Sequence, residues 1–276
     1  MSSTKSKTPI RKNKTMKTMK MKNTDKYVVA IPSYNRAEII AKKTLEMLRK
    51  GRVPSSQIYI FVANETEHRA YANAVPKELY GKIVIGVKGI TKQRRFIVKY
   101  FAEGTKIVSM DDDVEKFLRL TPGEDNKRLV PFKTGELDKF FQKAFATIEA
   151  RNLFIWGIYP MRYAYFMKHN ITTDLRLILG TTYGFVNRHN ADLMPTVAEK
   201  EDYETTIRYF LKDGGVLRFN DICLKTIYHS PGGLGKLTEE RLRNNQIAAE
   251  QLHQLYPDLV TTFKRPNGNF EVRLVK

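Results

Sequence analysis

Short apolar runs alternate with amphipathic stretches through the first half of the chain. The runs are residues 27–31 (YVVAI), 57–62 (QIYIFV), 82–86 (KIVIG) and 105–110 (TKIVSM). Between them, apolar positions recur at helical spacing over residues 37–50, from residue 65 onward and over residues 91–101. Strand, helix, strand, helix in this order predicts a mostly parallel sheet covered by crossover helices on both faces, a three-layer α/β/α class. The second half is less regular. Helices are predicted over 135–151, 201–212 and 238–255, with Gly214 and Gly215 closing the second. Strand-like runs occupy 153–159, 175–187 (broken at Gly180), 216–220 and 222–228, and Asn267-Gly268 between alternating residues predicts a terminal hairpin, a small additional β element. No internal repeat or second composition shift divides residues 27–276, which therefore read as one domain.

Residues 1–26 differ in kind. They are rich in Lys, Thr, Met and Ser and lack a hydrophobic period, which predicts a disordered basic arm, either a nuclear-type address, a grip on nucleic acid or a solvated tail. The segment has no apolar core or small-residue cleavage site, so it does not read as a secretory signal, and no stretch approaches the ~20 apolar residues of a membrane span. One cysteine, Cys223, excludes a disulfide framework and a cysteine-rich zinc site. An intracellular, soluble protein is expected.

The formal charge is +19, from 48 Lys+Arg against 29 Asp+Glu. The arm holds nine basic residues and one acid, a net +8, which leaves +11 on the other 250 residues. Basicity outside the tail favours a polyanion: nucleic acid, an acidic membrane surface or a phosphate-bearing substrate.

In a parallel sheet, ligands sit beyond the carboxyl ends of the strands. Asp111-Asp112-Asp113 follows the fourth run directly. Three adjacent carboxylates repel one another unless a cation neutralises them, and Mg²⁺ or Mn²⁺ shared with substrate phosphates takes oxygen ligands of this kind. An exposed acidic turn is the bland alternative, and the position at a strand mouth favours a metal held against a pyrophosphate. The first strand ends in Pro32-Ser33-Tyr34-Asn35-Arg36, where backbone N–H groups and Arg36 can meet a nucleotide. The Gly-rich stretch 232–235 lacks the Gly and Ser/Thr of a Walker loop; it reads as a lid or a flexible connection. A first strand ending in Pro32-Ser33 also lacks the nucleophilic Asp of a haloacid-type phosphatase. Trp156, Tyr159, Tyr163, Tyr165 and Phe166, interleaved with Arg162 and Lys168, read either as core and rim residues or as a platform for an extruded base.

The Pro-Ser-Tyr-Asn-Arg turn after one strand and the Asp-rich motif after a later one resemble a GT-A nucleotide-sugar glycosyltransferase of the family 2 style. More narrowly, IPSYNRAEIIAKKTLEMLRK, IYIFVANETE, YGKIVIGVKGITKQRRFI, EGTKIVSMDDDVEKF and YFLKDGGVLRFN are similar to the TET-associated glycosyltransferases. That group occurs in phages and kinetoplastids and is implicated in glucosylating hydroxymethylated pyrimidines in DNA.

The resemblance implies a GT-A fold and a nucleotide-sugar donor, UDP-glucose, with Mn²⁺ or Mg²⁺. It places Pro32, Ser33, Tyr34, Asn35, Arg36, Glu65, Gly89, Gln93, Arg94, Asp111 and Asp112 around the donor, Glu65 near the nucleobase, and Lys92 and Arg94 near the phosphates. Asp111, Asp113 and His229 would form the metal site, with Asp113 the direct ligand. Glu201 or Asp202, at the start of a later helix, would deprotonate the acceptor hydroxyl with inversion at the sugar carbon. A DNA acceptor would put the protein in a nucleus or a viral or host cytoplasm. The rival classes are the same transferase with a glycan, lipid or protein acceptor, and a DNA-binding protein on a degenerate transferase fold.

Overall fold

The computed structural model describes residues 26–123, 127–226, 238–266 and 268–275. Its first four strands are β1 (Tyr27–Pro32), β2 (Ile58–Val62), β3 (Lys82–Ile85) and β4 (Lys106–Met110). β1 pairs in parallel with β2 and β4, and β2 in parallel with β3. The crossovers are helical. α1 (Ala37–Ile40) passes through a π-helical turn (Ala41–Leu45) into α2 (Glu46–Lys50), and α3 (Glu65–Ala74) and α4 (Ile90–Tyr100) make the other two.

Period-two alternation sends the two faces of β1 to different cores. Tyr27, Val29 and Ile31 pack with Leu45, Leu48 and Tyr71, and with Phe141 of α5 (Glu136–Glu149). Ala30 packs on the opposite face with Phe61, Ile97 and Ile107, and with Tyr209 of α6 (Glu201–Asp213). Helices on both faces give the three layers read from the sequence, the α/β GT-A-like architecture.

The remaining strands are β5 (Val114–Leu120), β6 (Leu129–Pro131), β7 (Ile155–Ile158), β8 (Ile171–Thr172), β9 (Thr182–Val186), β10 (Leu217–Phe219) and β11 (Ile222–Thr226). The central sheet has the order β3-β2-β1-β4-β9-β7-β10-β8. β9 is antiparallel to both β4 and β7, so β7 and β10 point the same way as β4. β5, β6 and β11 form a small antiparallel sheet immediately after the Asp triplet. β5 is absent from the sequence reading because Glu115, Lys116 and Arg119 interrupt its apolar pattern. The run 175–187 is a strand only from Thr182; residues 175–181 are irregular.

Near the C-terminus, α7 (Glu239–Leu255) covers a hairpin of β12 (Val260–Lys264) and β13 (Phe270–Leu274) through Ala249, Leu252, Val260 and Val272. Gly268 at its turn has φ 84°, as the hairpin signal requires, while Asn267 lies outside the described residues. The basic arm through residue 25, His229 and the Gly-rich stretch 232–235 also lie outside them.

Of the two readings of the aromatic stretch, Trp156 takes the core one. It is fully buried, ringed by Phe140, Phe141, Phe145 and Phe219, and stands opposite Gly184, where a Cβ would fall 2.2 Å from its ring. It belongs to the core and has no face to offer a base. Among the described residues, no helix is long and apolar enough to cross a membrane.

Candidate active site

The carboxyl ends of β1, β2, β3 and β4 lie along one edge of the sheet, and the residues that follow them build the site. After β1 the chain turns through Asn35, a non-glycine residue at φ 54°. A left-handed residue costs roughly 1–3 kcal/mol unless its surroundings hold it. Here Glu67 does so, its Oε2 accepting the Asn35 N–H at 2.8 Å. Glu67 itself is set by Asn64, which caps α3 by accepting the Glu67 N–H at 3.0 Å.

Beside this turn runs an ordered chain of hydrogen bonds. The Arg36 N–H donates to the Tyr71 hydroxyl at 3.0 Å, and Ser33 Oγ lies 2.6 Å from the same hydroxyl. Ser33 Oγ–H donates to Asp112 Oδ2 at 2.5 Å. Only one proton arrangement satisfies all three contacts: Tyr71 donates to Ser33, and Ser33 to Asp112. Burial raises the Tyr71 pKa to about 12, so the phenol stays protonated and able to donate.

The three aspartates have different surroundings. Asp112 is buried, with Oδ2 on Ser33 and Oδ1 2.9 Å from Arg36 Nη1, so both its oxygens are engaged inside the protein. Asp113 is buried against Arg36 at 3.2 Å and accepts from Thr226 at 3.3 Å. Asp111 keeps a third of its side-chain surface exposed and has Arg94 Nη2 at 3.6 Å. Desolvation pushes its carboxyl up to about 8; Arg94 offsets part of that, and Asp112 and Asp113 reinforce it. The upward shift marks a site short of positive charge: near neutral pH Asp111 keeps its proton, which a bound cation would displace.

The π-helical turn shapes the triplet from beneath. Thr44, fully buried, donates its hydroxyl to the Asp111 carbonyl at 2.9 Å and accepts the Val114 N–H at 3.0 Å. Thr44→Val keeps the shape and strands both backbone groups, so we expect a loss of about 1–3 kcal/mol. Thermal unfolding reads this as a fall of about 2–4 °C per kcal/mol; an unchanged midpoint would show that the turn holds without the hydroxyl.

Arg94 joins the triplet to α6. Its guanidinium ion-pairs with Glu201, donates to the Gly180 carbonyl at 2.7 Å and faces Asp111. A side chain at Gly180 would place Cβ 2.9 Å from Arg94 Nη1, which explains a glycine there. The Gly180 N–H donates to Asp202 Oδ2 at 3.2 Å, and the Tyr203 N–H to Oδ1 at 2.9 Å. Burial and the neighbouring Glu201 push the Asp202 carboxyl up to about 6. Lys200, just before α6, is also left-handed, at φ 58°.

Other expected residues stand further out. Glu65 is exposed and pairs with Arg69 at 3.7 Å, whereas Glu67, two residues on and on the other face of α3, is the acid tied to the β1 turn. Lys92 is exposed on α4. Gln93 is buried and supports the loop after β3, its Oε1 accepting the Val87 N–H at 2.8 Å and its Nε2 donating to the Val62 carbonyl at 3.2 Å. Gly89 in that loop has φ 97°, with open space around it. Lys88 Nζ sits 5.2 Å from the Tyr34 ring centroid, a cation–π contact across the ends of β3 and β1. Pro32 is buried as the last residue of β1.

Glu67, Tyr71 and Thr44 were missed by motif reading. The i, i+4 spacing of Glu67 and Tyr71 on one face of α3 is the signal that marks them as a pair. Among the described residues, no group of three His, Cys, Asp or Glu side chains converges into a ready-made metal cage. The donor set still fits a hard cation. Asp113, and Asp111 once a cation displaces its proton, would offer carboxylate oxygens in a site short of positive charge, and Mg²⁺ or Mn²⁺ commonly completes its shell with water and substrate phosphate.

The profile of the TET-Associated Glycosyltransferase family matches residues 27–224, a span that holds every carboxylate and arginine above. No curated protein sequence matches the chain significantly. Among solved structures, the chain is similar to S. aureus TarS 1–349 at 16% identity, covering 84% of this chain and 72% of that one with a TM-score of 0.45. It spans 44% of the longer TarS chain. It is also similar to glucosyl-3-phosphoglycerate synthase from Mycobacterium tuberculosis in complex with Mg²⁺ and UDP, at 12% identity, 90% and 86% coverage and a TM-score of 0.48. By its family match, which takes in most of its length, the chain belongs to the TET-associated glycosyltransferases.

Proposed function

We propose that this glycosyltransferase moves glucose from UDP-glucose to the hydroxyl of a hydroxymethylated pyrimidine in DNA, with Mn²⁺ or Mg²⁺ held by Asp111 and Asp113. The observation that carries the proposal is the reach of Arg94. One guanidinium touches Glu201, faces Asp111 and binds the Gly180 carbonyl, while the Gly180 N–H holds Asp202. Arg94 thereby links Asp111, one of the two proposed cation ligands, to the start of α6, where the candidate base Asp202 stands.

The residues divide the work. Asp111 and Asp113 hold the cation, which when bound supplies the charge stabilisation that a departing diphosphate needs. Asp112 is a strut that fixes Ser33 and Arg36. Tyr34 and Lys88 form the side wall for the nucleobase, and Gly89 allows the backbone to approach the diphosphate, with Gln93 holding that loop. His229 would complete the metal site as the family resemblance implies.

Asp202 takes the acceptor proton as the oxygen attacks the sugar carbon and the bond to the diphosphate breaks on the opposite side, inverting the centre. Glu201 is bound to Arg94 and positions it, whereas Asp202 is held only by two backbone N–H groups and keeps lone pairs for the acceptor proton. Desolvation suits Asp202 to that work, because a carboxylate with a pKa near 6 is ionised at neutral pH yet more basic than an ordinary aspartate. Net charge of +19 supports a DNA acceptor over a neutral glycan.

The test is incubation with UDP-glucose and Mn²⁺ in the presence of oligonucleotides bearing 5-hydroxymethyluracil or 5-hydroxymethylcytosine. Mass spectrometry should show one added hexosyl unit on the modified base and none on unmodified DNA. Turnover of UDP-glucose with no hexosyl on any oligonucleotide would remove DNA as the acceptor.

A further inference from the structure

Residues 161–166 place four large apolar side chains on the surface together. Tyr165 is 75% exposed, Tyr163 57%, Phe166 56% and Met161 54%. Phe166 touches both tyrosines: its ring centroid lies 5.3 Å from that of Tyr163 at 37° and 5.1 Å from that of Tyr165 at 79°. Large apolar side chains exposed side by side, rather than scattered singly, are what an interaction site presents.

The loop that carries these rings is firmly anchored. Met167 is fully buried with Leu118, Leu120 and Cys223 against the small sheet. The Tyr159 N–H donates to the Ile222 carbonyl at 2.8 Å, the Lys168 N–H to the Asn220 carbonyl at 3.2 Å, and Lys127 Nζ to the Met167 carbonyl at 3.3 Å. The rings are thus displayed from a fixed base.

Their position follows from register. Gly157 of β7 and Ser109 of β4 both face Tyr183 of β9. The chain leaving Ile158 therefore emerges at the same sheet edge as Asp111. Charge separates the possible occupants. Residues 159–173 contain no acid but include Arg162 and Lys168, while on the adjoining segment Lys127 and Arg128 are matched in number by Glu124 and Asp125. An aromatic cluster set among cations matches the two faces of a polynucleotide strand, bases on rings and phosphates on cations. The rings are more than half exposed, and a base must already be out of its stack to lie on them.

We infer that Tyr163, Tyr165 and Phe166 form a stacking platform for unpaired bases of the acceptor strand, so that the enzyme prefers single-stranded or locally opened DNA over intact duplex. The inference rests on the DNA-acceptor reading above and adds the state in which that DNA is bound.

Fluorescence anisotropy with labelled single-stranded poly-dT and with a duplex of equal length, at one fixed salt concentration, tests it. The wild type should bind the single strand more tightly than the duplex. Tyr165→Ala combined with Phe166→Ala should weaken single-strand binding roughly 5- to 150-fold per lost stack, and Tyr165→Phe should retain it. UDP binding with Mn²⁺, measured on the same samples, should be unchanged in all three proteins, since none of these residues touches the donor site. Equal single-strand affinity in the alanine variant overturns the platform and leaves the DNA acceptor standing. No DNA binding by the wild type, with a change of sedimentation coefficient in the alanine variant, overturns both and assigns the patch to self-association.

Discussion

Asp113→Ala is expected to lower sugar transfer by at least about 10³-fold while leaving the fold intact. The size follows from the several kcal/mol of transition-state stabilisation that a cation on the departing diphosphate provides. The selectivity follows from contacts. Arg36 loses its 3.2 Å partner Asp113 but keeps Asp112 at 2.9 Å, so no buried charge is left alone. Asp112→Ala should behave in the opposite way. It removes the acceptor of Ser33 Oγ and one oxygen partner of Arg36, and its chief effect should be a lower unfolding midpoint. Thermal unfolding beside steady-state transfer separates the two. Equal losses of stability in both variants would contradict the division of roles within the triplet.

Asp202→Asn should reduce turnover by about 10²–10⁴-fold, the range for a lost general base. Its pH signature is more specific than its size. With the carboxyl at about 6, wild-type turnover should rise tenfold per pH unit below that value and level off above it. Stability should run the other way. The folded state binds the Asp202 proton more tightly than the unfolded chain, whose aspartates titrate near 3.8. The contribution to stability is therefore complete below that lower value and is lost as pH rises through about 6. The difference in unfolding free energy between wild type and Asp202→Asn should change across pH 4–6 and be flat above 7. A pH-independent difference, or a rate profile unaltered in the variant, would move the base elsewhere.

The donor half of the fold was legible because its strands are mostly buried and its crossovers amphipathic. YVVAI and KIVSM read as central strands, and residues such as Ser33 and Asp111 then fall at their carboxyl ends by rule. The supports of the site were not legible. Thr44 lies inside a helical stretch, and nothing local shows that its hydroxyl spans the Asp111 turn 67 residues away. Glu65 and Glu67 are equivalent in composition; the Asn64 cap decides which of them turns inward. Proximity in sequence to Tyr163 and Tyr165 left Trp156 open to either a core or a platform role, and it proves to be core. The uninterrupted apolar run IWGI was the better guide, since a strand buried on both faces carries no exposed ring. Arg94 was expected at the donor phosphates, but its pairing with Glu201 depends on α4 and α6 meeting on one face of the sheet. That contact joins residues 107 positions apart and has no motif.

The most direct test of a cation-dependent donor site is calorimetric titration of the full chain with UDP, first in EDTA and then with Mn²⁺. Binding should be strong only with the metal present and should be lost in Asp111→Asn and Asp113→Asn even when Mn²⁺ is saturating. UDP binding of equal strength in EDTA, or undiminished in both variants, would contradict it.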